Sequence, residues 1–94
     1  MSIEFEWDQD KADANLAHHG VCFDDAVKAF YDPLAVERFD TREDYGEDRI
    51  NVIAMCDGDL LHVTYVERGD RIRIISARRA DRNEQDDYYR KNAP

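Results

Sequence analysis

A chain of 94 residues with 43% hydrophobic side chains can build one core and no second one, so a single domain over residues 1–94 is expected. Its 13 Lys and Arg against 22 Asp and Glu give a net charge of −9, which excludes attraction of the whole body to a polyanion and confines any nucleic-acid contact to a local patch. No apolar run approaches the roughly 18 residues that cross a bilayer, and the opening M-S-I-E-F-E has no signal-peptide character, so the expectation is a cytoplasmic protein without membrane contact.

Ile3, Phe5 and Trp7 alternate with Glu4 and Glu6, the pattern of a strand with one buried face. Asp8 is an N-cap for a weakly amphipathic helix over 9–19, with Ala12, Leu16 and Ala17 as its apolar positions. Gly20, preceded by His18 and His19, ends it. Ala26, Val27 and Phe30 predict a short second helix over 24–31, stopped by Asp32-Pro33. Cys22 precedes that helix, where Ser or Thr would cap it better. Leu34, Val36 and Phe39 read as a strand, and the polar stretch 40–48 as a long connection.

Three strands follow in quick succession. They cover 49–55, 60–67 and 71–77, joined by Asp57-Gly58 and by a turn at Arg68-Gly69-Asp70. A polar C-terminal helix is expected from Arg78 to about Arg90. The fold class is therefore α+β: an N-terminal strand and two helices, an antiparallel meander of about four strands, and a C-terminal helix.

Charge is unevenly distributed along this order. Residues 1–67 hold 5 basic and 17 acidic residues, whereas residues 68–82 hold 6 arginines and 2 acids. Arg is the side chain best suited to holding phosphate or carboxylate at two points, so this segment is the candidate site. Alternation places Arg71 and Arg73 on the open side of the last strand and Ile72 and Ile74 in the core. The short turn brings Tyr65 and Glu67 of the preceding strand close to them, and Arg78 and Arg79 lie where strand gives way to helix. Arg42 in the polar connection and Arg82 complete a surface able to hold an RNA backbone. Tyr65 could stack on a base and Glu67 move protons. The plainer alternative is that these are solvated charges, with Glu67 in a cross-strand ion pair with Arg71 or Arg73 worth under ~1 kcal/mol.

Other candidates are weaker. His18 and His19 point in different directions on a helix and read as C-terminal charges, and with Cys22 they lack a fourth ligand for zinc. His62 lies on the face opposite Tyr65 and reads as a packing or surface residue. Cys22 and Cys56, without a C-x-x-C spacing, read as free thiols. No phosphate-binding glycine loop, nucleophile elbow, calcium loop or H-E-x-x-H is found, so neither cofactor nor metal is expected.

Several segments together resemble one family. F-E-W-D at 5–8, Lys11, N-L-A-H-H-G-V-C-F-D-D-A at 15–26, D-P-L-A at 32–35, D-Y-G-E-D-R at 44–49, Y-V-E-R-G-D at 65–70 and R-I-I-S-A-R-R-A at 73–80 resemble BrnT toxins. The resemblance implies a RelE-like fold and a ribonuclease toxin of a type II toxin-antitoxin pair that inhibits translation by cleaving RNA without a cofactor. It also implies neutralisation by a BrnA-type ribbon-helix-helix antitoxin, through which alone the toxin would meet DNA. In such a reaction Arg73, Arg78 and Arg79 would clamp phosphate, with Glu67 or Tyr65 transferring the proton and Arg42, Arg71 and Arg82 holding RNA. Glu84, Asp86 and Asp87 stand where basic residues are common in the family, which lowers the RNA-binding field and leaves attenuated activity as an alternative. A second reading of the whole chain is a non-catalytic interaction module that serves its antitoxin as co-repressor.

Overall fold

The order of apolar and capping residues is realised closely in a computed structural model, which describes residues 3–39 and 48–94. Strand β1 (Glu4–Glu6) leads into helix α1 (Gln9–His19), a one-turn helix α2 (Phe23–Ala26) and a 3-10 segment (Val27–Tyr31). Strands β2 (Val36–Phe39), β3 (Ile50–Cys56), β4 (Asp59–Arg68) and β5 (Arg71–Arg79) follow, and helix α3 (Arg82–Lys91) closes the chain.

The expected meander is present as β2 to β5, each antiparallel to the next. It is not the whole sheet. β1 adds a fifth strand, parallel to β5, and the order becomes β1-β5-β4-β3-β2. A three-residue strand carries too short a pattern to announce its partner. Its register, Glu4 with Arg71 and Glu6 with Arg73, matches acid to base.

Local chemistry explains the helices. The Asp8 carboxylate accepts hydrogen bonds from the backbone N–H groups of Asp10 at 2.9 Å and Lys11 at 3.3 Å. Gly20 adopts the left-handed conformation with φ 71° and donates its N–H to the Leu16 carbonyl. The buried stripe of α1 is Ala12 and Asn15, and the expected apolar positions Leu16 and Ala17 face out, Leu16 at 51% exposure. Cys22 gives α2 no side-chain cap, and after one turn the helix tightens into the 3-10 segment.

The C-terminal helix starts four residues later than expected, because β5 runs on through Arg79. Asp81 and Glu84 form a reciprocal capping box, each side chain accepting the other's backbone N–H at 2.8 Å, and that box fixes the first turn.

Helices cover both faces of the sheet, unequally. α1, α2 and the 3-10 segment pack Ala12, Val21, Phe23, Ala26 and Ala29 onto Val52, Ala54, Val63, Ile74 and Ala77. On the other face Tyr88 of α3 and Ala80, which lies between β5 and that helix, pack against Val36 and Ile53. Val52 and Ile53, adjacent in β3, are both 1% exposed, so this interior strand is buried on both sides. Asp32 ties the layers together. Its carboxylate accepts from Leu34 N–H, Met55 N–H and the Tyr88 hydroxyl. Although burial alone would raise the Asp32 carboxyl, those three donors together hold it below its ordinary value.

Candidate functional site

Two local features of β4 and β5 decide which side chains meet. First, Arg68 pairs with Arg71, so the loop between them is only Gly69-Asp70. Glu67 therefore lies opposite Ile72 and Tyr65 opposite Ile74, while Arg73 lies opposite Val66. Tyr65 and Glu67 thus share the isoleucine face, not the arginine face, and the expected composite patch of Arg71, Arg73, Tyr65 and Glu67 does not form. Second, the register shifts by one residue between Thr64 and Tyr65, leaving Ile75 as an extra residue in β5. Arg78 is carried by that shift to the face of Arg71 and Arg73, and Arg79 to the other.

Of the eight site residues read from the sequence, three therefore share one face: Arg71, Arg73 and Arg78. Arg79 is exposed on the α1 side, 4.0 Å from Asp59. Arg82 is exposed in the first turn of α3. Tyr65 is a core residue, 2% exposed, with its ring edge-on to Phe30 at 4.8 Å and its hydroxyl bonded to Glu37. Burial first, then the negative charge of Glu37 and Glu67, pushes the Tyr65 hydroxyl far up, so it stays protonated. Glu67 is exposed at the end of β4. Arg42 lies outside the described residues.

The face shared by the three arginines is neutralised in detail. Arg71 meets Glu4 at 3.2 Å and Arg73 meets Glu6 at 2.9 Å, so their partners come from β1 and not from Glu67. Arg38 of β2 meets Asp87 of α3 at 3.4 Å. Arg78 makes the tightest contact, a bidentate pair with Glu84 at 2.8 and 2.9 Å.

Glu84 also lies 3.5 Å from Nε2 of His62, and both of these side chains are nearly closed to solvent. The strand pairing sets His62 directly opposite Arg78, and the capping box swings Glu84 back over both. A guanidinium, an imidazole and a carboxylate are thereby brought together where β4 and β5 meet the start of α3. Burial lowers the His62 proton affinity more than Glu84 raises it, so the ring is neutral at pH 7. Burial would raise the Glu84 carboxyl, but the Arg78 hydrogen bonds, the Asp81 N–H and His62 together keep it below its usual value. Beside this cluster the Thr64 hydroxyl donates to the Asn51 side-chain oxygen at 2.8 Å.

The orientation of His62, opposite Tyr65, is legible from alternation, but its company is not. Two signals in the sequence point to that company: the Gly-Asp loop that sets the hairpin register, and the D-R-N-E capping box at 81–84 that returns Glu84 to the strand end. A separate buried contact, made by Asn15 on the α1 side, has no such signal. Its side chain donates to the carbonyls of Val21 at 2.9 Å and Ala77 at 2.8 Å and accepts the Ala77 N–H at 3.1 Å. Beyond the end of β1, the Asn15 amide thus stands where a neighbouring strand would pair with β5.

A sequence model of the family described as "Ribonuclease toxin, BrnT, of type II toxin-antitoxin system" matches residues 7–84, a span that runs from Trp7 through the arginine strand to Glu84. No curated protein matches the chain.

Proposed function

The chain belongs to the BrnT family of ribonuclease toxins of type II toxin-antitoxin systems, and from that premise we propose that it is a metal-independent endoribonuclease acting in a RelE-like manner. It cleaves RNA, arrests translation and is neutralised by a BrnA-type ribbon-helix-helix antitoxin. The observation that carries the reading is the meeting of Arg78, His62 and Glu84 on the arginine face of the sheet.

Cleavage without a metal requires that an RNA 2′-hydroxyl lose its proton and attack the adjacent phosphorus. The bond to the 5′-oxygen then breaks, giving a 2′,3′-cyclic phosphate and a 5′-hydroxyl that regains a proton. A neutral imidazole suits the first proton, and the imidazolium so formed suits the second. Arg78 is placed to stabilise the negative charge that grows on the phosphorane oxygens. Arg73 and Arg71, roughly 13 Å or more away along the strand, would hold neighbouring phosphates. A phosphate approaching Arg78 competes with the Glu84 carboxylate, so Glu84 sets how readily the site accepts RNA. Tyr65, Glu67 and Arg79 lie on the other face and take no part in this scheme.

The purified chain incubated with single-stranded RNA in excess chelator should yield 2′,3′-cyclic phosphate and 5′-hydroxyl ends. His62→Ala and Arg78→Ala should each slow cleavage at least ~100-fold. Wild-type cleavage by both variants, with native circular dichroism, would remove the site from this face. One observation favours the second reading, a non-catalytic partner and co-repressor: Arg38, Arg71, Arg73 and Arg78 each already hold a carboxylate. An inactive wild-type chain that still binds its antitoxin and strengthens operator binding would establish that reading instead.

A further inference from the structure

Opposite the arginine face, the sheet has a second recognisable surface. α1, α2 and the 3-10 segment leave one end of their side of the sheet uncovered, and a groove of about 370 Å³ crosses the strands there. Its floor is apolar, made by Phe30, Val52 and Ile72 with the buried ring of Tyr65. Glu37 of β2 and Glu67 of β4, both exposed, line it on the sheet side, and Glu37 is oriented by the Tyr65 hydroxyl. Among the described residues, the lining contains no Lys or Arg.

We propose that this groove is a docking site for the antitoxin, and that it receives a Lys or Arg side chain carried by an apolar stretch of that partner. The argument is one of matched chemistry. Lys and Arg lay an aliphatic stem along apolar surface and keep a charged head in a polar environment. The groove provides both in that order, an apolar floor ending at the Glu37 and Glu67 carboxylates, while the third carboxylate of the lining, Asp32, is held by Leu34, Met55 and Tyr88. A phosphate is repelled by the same carboxylates, so RNA is a poor occupant. The body around the groove is strongly anionic, with residues 1–67 carrying 5 basic and 17 acidic side chains, which steers a cationic partner toward it.

The assignment rests on the antitoxin that a type II system supplies and not on the ribonuclease chemistry. It separates two functions by face: RNA on the arginine side, inhibitor on the acidic side. An antitoxin held here neutralises by bulk reaching around the sheet edge, without occupying the arginines.

The test uses the full chain and the antitoxin co-encoded with it, titrated by calorimetry at low and at high salt. Glu37→Gln should weaken binding about tenfold and Glu67→Lys more, and both should flatten its salt dependence. Arg71→Gln and Arg73→Gln on the other face should leave affinity within about twofold. Thermal unfolding checks that each variant is folded. Glu37→Gln should cleave RNA as the wild type does while escaping neutralisation, and if the wild type cleaves no RNA the binding measurement still decides the docking site. Wild-type affinity in both groove variants, with loss in the arginine variants, would overturn the proposal and place the antitoxin on the arginine face. Concentration-dependent dimerisation of the free chain that Glu67→Lys abolishes would overturn it too, by making a second copy the occupant.

Discussion

The two faces of the sheet are built on different energetic principles. Toward α1 the interior is the larger apolar cluster, closed by aromatic edges such as Trp7 on Phe23 at 5.7 Å and sealed along β5 by Asn15. Toward α3 a modest apolar cluster adjoins a layer of His62, Thr64, Asn51, Arg78 and Glu84. Burial of apolar area holds the first face; paired charges and hydrogen bonds of small net value hold much of the second. The lesson is a division of labour. One face can store stability because nothing there must be exchanged, and the other can present exchangeable groups because each pair there adds only a little to stability.

The sharpest break of that contrast comes from the α1 side. Phe23 is 2% exposed, and Phe23→Ala should cost about 3–5 kcal/mol in urea denaturation, the transfer and cavity terms adding. Leu60→Ala, from the partly buried rim of the α3 cluster, should cost about half that or less. Equal losses would erase the distinction between the faces.

Next in size is Asn15. Asn15→Ala leaves the Ala77 N–H and carbonyl and the Val21 carbonyl without their partner in a buried site, at a cost of about 2–3 kcal/mol. Hydrogen exchange at the Ala77 amide should accelerate more than at the Val63 amide. Asn15→Asp keeps the acceptor but loses both donated bonds, and should recover little of the stability.

Asn15 also marks where sequence reasoning runs out. The bounds of α1, the caps at Asp8 and Gly20, the Asp57-Gly58 turn and the four-strand meander all follow from short-range patterns, because each is decided within a few residues. Alternation also set Ile72 and Ile74 inward and Arg71 and Arg73 outward. Long-range pairing is not written that way. Nothing near Glu4 and Glu6 states that they will meet Arg71 and Arg73, and nothing near Asn15 states that it will pair with Ala77, 62 residues away. The extra residue Ile75 is decided by the packing of two strands, and it determines that Arg78, not Arg79, joins the face of Arg71 and Arg73. The fold class was therefore legible, whereas the membership of the site was not.

A third prediction sharpens the contrast through pH. Burial lowers the folded His62 pKa below its ordinary value of 6.5, so below that pH the unfolded chain binds a proton that the folded chain resists. Stability therefore rises with pH through this window and is lost as pH falls below about 6.5. Asp32 and Glu84 have depressed folded values, so their contribution is intact at neutral pH and is lost only in stronger acid, below about pH 4. Thermal unfolding against pH should show two acid steps, and His62→Asn should remove the upper one. A single step near pH 4 in the wild type would mean that His62 titrates alike in both states.

The smallest expected effect on stability is at Arg71, and it separates the faces by function. The Arg71 pair with Glu4 is open to solvent on both sides, and exposed pairs contribute under ~1 kcal/mol, so Arg71→Gln should scarcely move the unfolding midpoint. The same exposure makes the guanidinium available to exchange Glu4 for a phosphate. Binding of an uncleavable 2′-deoxy-substituted strand should therefore weaken, and the slope of log K against log salt should become shallower by ~0.7, the value of one single-strand phosphate contact. Arg79→Gln removes an equally exposed charge from the opposite face and should leave that slope unchanged. If the two substitutions alter the slope alike, RNA reads only the net charge of the arginine segment, and the register shift that sets Arg78 rather than Arg79 beside Arg71 and Arg73 has no bearing on where the strand lies.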